Sequence, residues 1–163
     1  MRLISLFSKV GLILMTSGLI FSSCTNDDDD TGFMAIPAAE QIEQYLTDNN
    51  ITGELTTSSG LVYVIEEQGE AESPTLNDDI TIHYEGYRIN GDVFDQTTGS
   101  PRTFPLSRLI LSWQEGIQLI GRGGKIKLIS PPNLAYGNNP PAGSIIRAGD
   151  VLVFDIELVE FSN

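Results

Sequence analysis

The segment "DVLVFDIELVEF" at residues 150–161 puts Leu152, Phe154, Ile156 and Leu158 on alternate positions. A period of two fits a strand, with one face given to a core and the other left polar. Such a strand cannot stand alone, because its backbone N–H and C=O groups need partners. The same texture recurs where those partners are needed. "DDITIHYEGYRI" (78–89) alternates apolar and polar residues, "LVYVIEE" (61–67) is β-branched and aromatic, and "GGKIKLIS" (123–130) sets Ile126, Leu128 and Ser130 against Lys125, Lys127 and Ile129. Asn90-Gly91 suits a two-residue type I′ turn, in which both positions need positive φ, so "DVFDQ" is expected to return along 78–89.

One stretch breaks the strand period. "LILSWQEGIQLI" (109–120) spaces Ile110, Trp113, Ile117 and Ile120 by three and four, which predicts a single short helix. One helix against an antiparallel sheet is an α+β domain. A second helix is expected over "IPAAEQIEQYLTDNN" (36–50), with Pro37 at its first position, Ile42, Tyr45 and Leu46 on one face and Asn49-Asn50 as its stop. Its expected role is a spacer or a dimer contact. "ITGELTTSSG" (51–60) is rich in Thr, Ser and Gly and is expected to be a linker or loosely ordered lead-in.

The chain begins with Arg2 and Lys9 and then an apolar run over 10–21. This run falls short of the about 20 residues a membrane-spanning helix needs, and with small residues after it the pattern is that of a secretory signal peptide. The only cysteine, Cys24, follows Phe21-Ser22-Ser23. That segment resembles the lipobox of bacterial lipoproteins, which implies cleavage before Cys24 and a lipid on its sulfur. Asp27 to Asp30 follow directly. They read equally as a solvated, self-repelling spacer and as a surface-export signal of the kind found beside some lipoprotein anchors. The expected organisation is a lipoprotein signal peptide at 1–23, an acidic tether at 24–35, a helical extension and linker at 36–60, and the folded domain at 61–163.

The formal charge is −13 at pH 7, with 22 acidic residues against nine basic ones, and two of the basic residues lie in the leader. Nucleic acid is therefore not an expected partner. Membrane attachment would rest on acyl chains, since no polybasic patch is present. His83 is the only histidine, so no His and Cys cluster is available for a transition metal. No Gly-x-Ser-x-Gly elbow, P-loop or dinucleotide-binding fingerprint occurs. Composition leaves a Ser-His-Asp triad open, but His83 sits inside an alternating strand and reads as structural. Tyr84, Phe94, Phe104, Trp113, Tyr136 and Phe154 are placed either to fill a core or to line a shallow apolar pocket.

"HYEGYRINGDVFDQT", "LILSWQEGIQLI", "ISPPNLAYG" and "VLVFDIELVEF" follow one another in an order and at a spacing that resemble the FKBP-type peptidyl-prolyl isomerases, over about residues 60–161. With the helical extension and lipobox, the chain resembles the membrane-anchored members of that family in Bacteroidota. The resemblance implies a five-stranded antiparallel sheet curled around one short helix. It implies a catalytic set of Asp95, Tyr136, Trp113 and Phe154, and a substrate-binding set of Tyr84, Phe94, Phe104, Leu109 and Ile110. Within that set the Tyr136 hydroxyl and the Ile110 N–H would bond substrate carbonyls, and Asp95 would either orient its neighbours or cap the turn after its strand.

No cofactor or metal is implied. The implied partners are proline-containing polypeptides, with a macrolide as a candidate ligand, the membrane through Cys24, and a second copy through the N-terminal helix. The implied location is the cell envelope, on the outer membrane. Three departures stand out: Ser112 where the family commonly has Gly, Arg102 in place of an aromatic near Phe104, and "SIIRAGD" (144–150), with Arg147 and Ala148 where prolines are usual in a loop that overhangs the pocket. These leave two readings, an active isomerase for exported proteins or a weakly active binding module or chaperone on the same fold.

Overall fold

The computed structural model describes residues 36–162; Cys24, the leader and the aspartate run lie outside the described residues. Seven strand segments form one antiparallel sheet: β1 (Leu55–Thr56), β2 (Val62–Glu67), β3 (Asp79–Arg88), β4 (Val93–Gln96), β5 (Arg102–Pro105), β6 (Lys125–Ser130) and β7 (Leu152–Ser162). Across the sheet the order is β1-β2-β6-β7-β3-β4, with β5 also on β3. Because β4 and β5 take the two halves of the same β3 edge, and β1 is two residues long, the sheet has five positions of substance. That is the five-stranded α+β architecture expected.

The alternation places the core. Leu152, Phe154, Ile156 and Leu158 of β7 join Ile80, Ile82 and Tyr84 of β3 and Ile126 and Leu128 of β6 on the inner face. A bulge where β3 passes from Thr81 to Ile82 shifts the phase of β7, so Phe161 also turns inward. The inner face is closed by α2 (Leu111–Gly116) and one following 3₁₀ turn, Ile117–Leu119. The helix is shorter than the periodicity suggested: Ile110 is its N-cap in extended conformation, and Ile120 is already extended. Trp113, Ile117 and Ile120 are nevertheless buried as their spacing required.

The hairpin differs from expectation. The Gly91 N–H donates to the Arg88 carbonyl at 2.8 Å and the Arg88 N–H to the Asp92 carbonyl at 2.9 Å, which closes a three-residue loop. Gly91 has φ of 94°, whereas Asn90 is not at positive φ. This is a β-turn followed by a left-handed glycine, the arrangement of three-residue loops, and not a type I′ turn. The Asn90 side chain instead donates to Asp92 at 2.8 Å, fixing the turn locally.

The N-terminal helix α1 (Ala38–Asp48) starts one residue after Pro37, which is its N-cap. Ile42 and Tyr45 are buried against Val62, Ile129, Val151 and Val153 on the outer face of the sheet, with Leu46 packed alongside. The Tyr45 hydroxyl meets that of Tyr87 at 3.2 Å, and Tyr87 donates to Asp155 at 3.0 Å. Lys127 donates to the Tyr87 oxygen at 2.9 Å and pairs with Asp155. The apolar stripe of α1 is thus spent on the chain's own sheet. Within the expected linker, Leu55–Thr56 form the short strand β1, which pairs with β2 through Leu55 and Tyr63. No helix among the described residues is long and apolar enough to cross a membrane.

If α1 is part of the folded unit, Ile42→Ala should lower the free energy of unfolding by about 2 kcal/mol or more, the scale of a buried aliphatic truncated to Ala. Urea denaturation with wild type alongside measures it, and a tethered spacer would show no change.

Candidate functional site

The inner face of the sheet, the N-terminus of α2 and the loop after β6 leave a cavity of about 180 Å³ between them. Its wall is Tyr84, Phe94, Asp95, Phe104, Leu109, Ile110, Trp113, Tyr136 and Phe154. All nine residues nominated from the sequence meet at this one place, and they come from β3, β4, β5, α2 and its lead-in, the loop after β6, and β7.

Each is positioned by a local cause. Tyr84 and Phe154 face inward by strand alternation, and the pairing of Tyr84 with Ile156 and of Gly86 with Phe154 sets their relative height. Gly86 is needed for close approach: a Cβ there would lie 2.8 Å from the Phe94 ring and 3.0 Å from Phe154. Leu109 and Ile110 lie in extended backbone just before α2, whose first turn turns Trp113 onto the cavity floor. Tyr136 follows a short 3₁₀ turn, Pro132–Leu134, that begins at the Pro131-Pro132 pair.

Five of the rings form a continuous edge-to-face chain. Phe104 meets Tyr84 at 6.3 Å, Tyr84 meets Trp113 at 5.1 Å, Trp113 meets Phe154 at 5.3 Å and Phe154 meets Phe94 at 5.7 Å between centroids, with interplanar angles from 65° to 88°. Each such contact contributes roughly 0.5–1.5 kcal/mol beyond burial. The rings therefore hold one another in place before any ligand arrives.

The polar groups lie at one end. The Tyr84 hydroxyl donates to Asp95 at 2.6 Å and accepts from Arg102 at 2.9 Å, while Arg102 reaches the other Asp95 oxygen at 3.4 Å. Asp95 thus holds the Tyr84 hydroxyl through a hydrogen bond. Burial, and then the bond to Asp95, push the Tyr84 hydroxyl up to about 12. Burial and the Asp95 charge also raise Tyr136 above the ordinary tyrosine value, so both hydroxyls stay protonated at neutral pH. Among the described residues no backbone carbonyl takes the Ile110 N–H.

The three departures acquire structural readings. Ser112 is fully buried with a hydroxyl that has no partner among the described residues, yet α2 still begins at Leu111. Arg102 supplies the polar clasp on Tyr84 and Asp95, with its guanidinium 5.8 Å from the Tyr84 ring centre. Residues 144–150 contribute nothing to the cavity wall. That loop is anchored by Asp150, which accepts from the Arg147 N–H at 2.7 Å and from buried Arg88 at 2.8 Å. His83 stands on the outer sheet face, its Nδ1 3.4 Å from the Thr97 hydroxyl, away from the cavity wall.

Sequence reasoning missed Gly86, and it noted Arg102 only as a replacement for an aromatic, without partners. The parity of Arg102 with Phe104 on β5 was the available signal, but the partners of Arg102 depend on β3 pairing.

A sequence-family model for "FKBP-type peptidyl-prolyl cis-trans isomerase" matches residues 70–159, more than half the chain. The chain belongs to that family. It is 48% identical over 118 residues to the isomerase FkpA of Buchnera aphidicola (strain Sg), covering 71% of this chain and 46% of that protein. It is 40% identical over 124 residues to the peptidyl-prolyl cis-trans isomerase Mip of Coxiella burnetii, covering 74% of this chain and 54% of that one. The crystal structure of Escherichia coli FkpA superposes with a TM-score of 0.68 at 39% identity, over 76% of this chain and 58% of that one. The chain thus spans about half the length of the curated relatives it matches.

The folded protein keeps the Tyr84 proton to about pH 12, whereas a tyrosine in the unfolded chain releases it near pH 10. Its contribution to stability should be complete below about pH 10 and lost as pH rises toward 12. Tyr84→Phe should flatten that part of a stability–pH curve taken from denaturant midpoints.

Proposed function

We propose that this chain is a peptidyl-prolyl cis-trans isomerase that assists folding of proteins in the cell envelope. The carrying observation is the preformed apolar cavity, floored by Trp113 and walled by the eight other residues of the set. The Xaa-Pro bond resists rotation by roughly 18–20 kcal/mol because amide resonance must be broken, and unaided it turns over in roughly tens to hundreds of seconds. In the twisted state the resonance is largely lost and the carbonyl carries less charge. A dry, apolar cavity costs that state less than it costs the planar amide, whose carbonyl is best solvated by water. Binding that favours the transition state over the ground state is sufficient for catalysis.

In this reading Trp113, Phe154 and Ile110 hold the proline ring, while Tyr84, Phe94 and Phe104 enclose the bond. The Ile110 N–H and the Tyr136 hydroxyl take substrate carbonyls. Asp95 fixes Tyr84 and stays at the rim. No proton is transferred and no cofactor takes part. A macrolide is a candidate competitor for the same cavity. The leader and Cys24 support export and a lipid anchor, hence an outer-membrane site of action, with the domain from residue 61 onward as the catalytic unit.

A second reading, a weakly active binding module or chaperone, is favoured by one observation. The 144–150 loop lacks the usual prolines and is held by the Arg88–Asp150 ion pair instead.

A protease-free assay following cis-to-trans relaxation of a Leu-Pro peptide separates the two. Wild type should accelerate relaxation. Tyr136→Phe should lose roughly twofold to tenfold, the value of one neutral hydrogen bond, and Asp95→Ala should also fall. A folded wild type with no acceleration over background would leave the binding-module reading.

A further inference from the structure

The cavity wall is apolar apart from one end, and a half-exposed cation, Arg102, is bonded to the Tyr84 and Asp95 side chains of that end. Arg102 pairs across the ladder with Ile82, two positions from the Phe104 and Ile80 pair, so it shares the cavity face of β5 with Phe104. Its Nη1 is turned inward, donating to the Tyr84 hydroxyl and to Asp95. Its side chain is still 48% exposed, and both of its hydrogen bonds use Nη1, so Nε and Nη2 have donors to offer beside the cavity. A guanidinium offers five donors in a rigid fork, and two clasped contacts do not exhaust it.

We propose that Arg102 forms a subsite for a carboxylate side chain, so that the protein turns over Glu-Pro and Asp-Pro bonds in preference to their amide counterparts. This rests on the isomerase reading above and deepens it. With the proline ring on Trp113, the residue before it leaves the cavity on the side enclosed by Tyr84 and Phe104, where Arg102 stands. A carboxylate there meets the outer edge of the guanidinium and can be held by two parallel N–H···O bonds.

Two features of the site work against the preference and set its size. Asp95, itself half-exposed, already offsets part of the Arg102 charge, and the chain as a whole carries −13. The gain therefore belongs to the range of exposed ion pairs, roughly threefold to fivefold. Arg102 keeps enough pull because the clasp from Tyr84 and Asp95 fixes its head group in advance, so less side-chain freedom is lost when a ligand binds.

The test uses the full-length protein and two peptides that differ only by Glu-Pro against Gln-Pro, with Leu-Pro as a neutral reference. At low ionic strength the ratio of kcat/KM for Glu-Pro over Gln-Pro should be roughly three to five, and it should approach one near 1 M salt, where the screening length falls to about 3 Å. Arg102→Gln, which keeps donors for Tyr84 and Asp95 but not the charge, should bring the low-salt ratio to one or below. Arg102→Lys should keep part of it, and Lys125→Met, a charge removed from the outer sheet face, should leave it unchanged. A wild-type ratio of one at low salt, or a preference that survives Arg102→Gln, overturns the subsite. If the Gln variant does not fold, the salt dependence of wild type decides alone. No acceleration of any of the three peptides would overturn the isomerase reading itself, and the subsite with it.

Discussion

The ladder between β3 and β7 is the constraint on which the rest depends. It runs from Asp79 against Ser162 to Arg88 against Leu152 and joins the middle of the chain to its end. β6 attaches to its β7 side, and β4 and β5 attach to its β3 side. The inner-face residues of these two strands provide both the packing for α2 and two walls of the cavity, Tyr84 and Phe154. A one-residue slip would send every inner side chain to the outer face. Register is therefore where fold and site are decided together, and it is held by inward apolar residues along both strands.

The cavity is best understood as a region of that core left incompletely filled. Its rings already satisfy one another edge to face, and Gly86 lets Phe94 and Phe154 meet over the strand. An apolar cavity of this kind needs little rearrangement to accept a proline ring. Its polar end, Tyr84 with Asp95 and Arg102, is tied together by hydrogen bonds that orient the Tyr84 hydroxyl, while the Arg102 and Asp95 side chains stay about half exposed. The outer face of the same sheet is used differently. There α1 is seated by aliphatic contacts and by the Tyr45, Tyr87, Lys127 and Asp155 cluster, which makes the extension part of the fold.

What could be read from the sequence follows from which interactions are local. The strands at 78–89, 123–130 and 150–161 were legible because each has a clean period of two, and the short helix because Trp113 and Ile117 are four apart. The nine cavity residues were legible through the resemblance to a family; periodicity alone left the aromatics undecided between core and pocket. The Asn90-Gly91 turn was correctly placed but wrongly typed, since its loop length depends on how Arg88 and Asp92 pair. β1 escaped because two residues carry no period. An amphipathic stripe on 38–48 showed that α1 buries a face, but not that its own sheet covers it. The partners of Arg102 were not legible because Tyr84 and Asp95 lie on other strands.

The most direct test of the account is two-dimensional exchange NMR on a Leu-Pro peptide with a small fraction of the protein added, observing the Trp113 indole in the same sample. Spontaneous interconversion, at roughly tens to hundreds of seconds, gives no cross-peaks between cis and trans forms at sub-second mixing times. The account predicts that the protein makes those cross-peaks appear and that the Trp113 resonance shifts with peptide concentration. A shifted Trp113 resonance without exchange cross-peaks would contradict it, because the cavity would then bind proline without favouring the twisted bond.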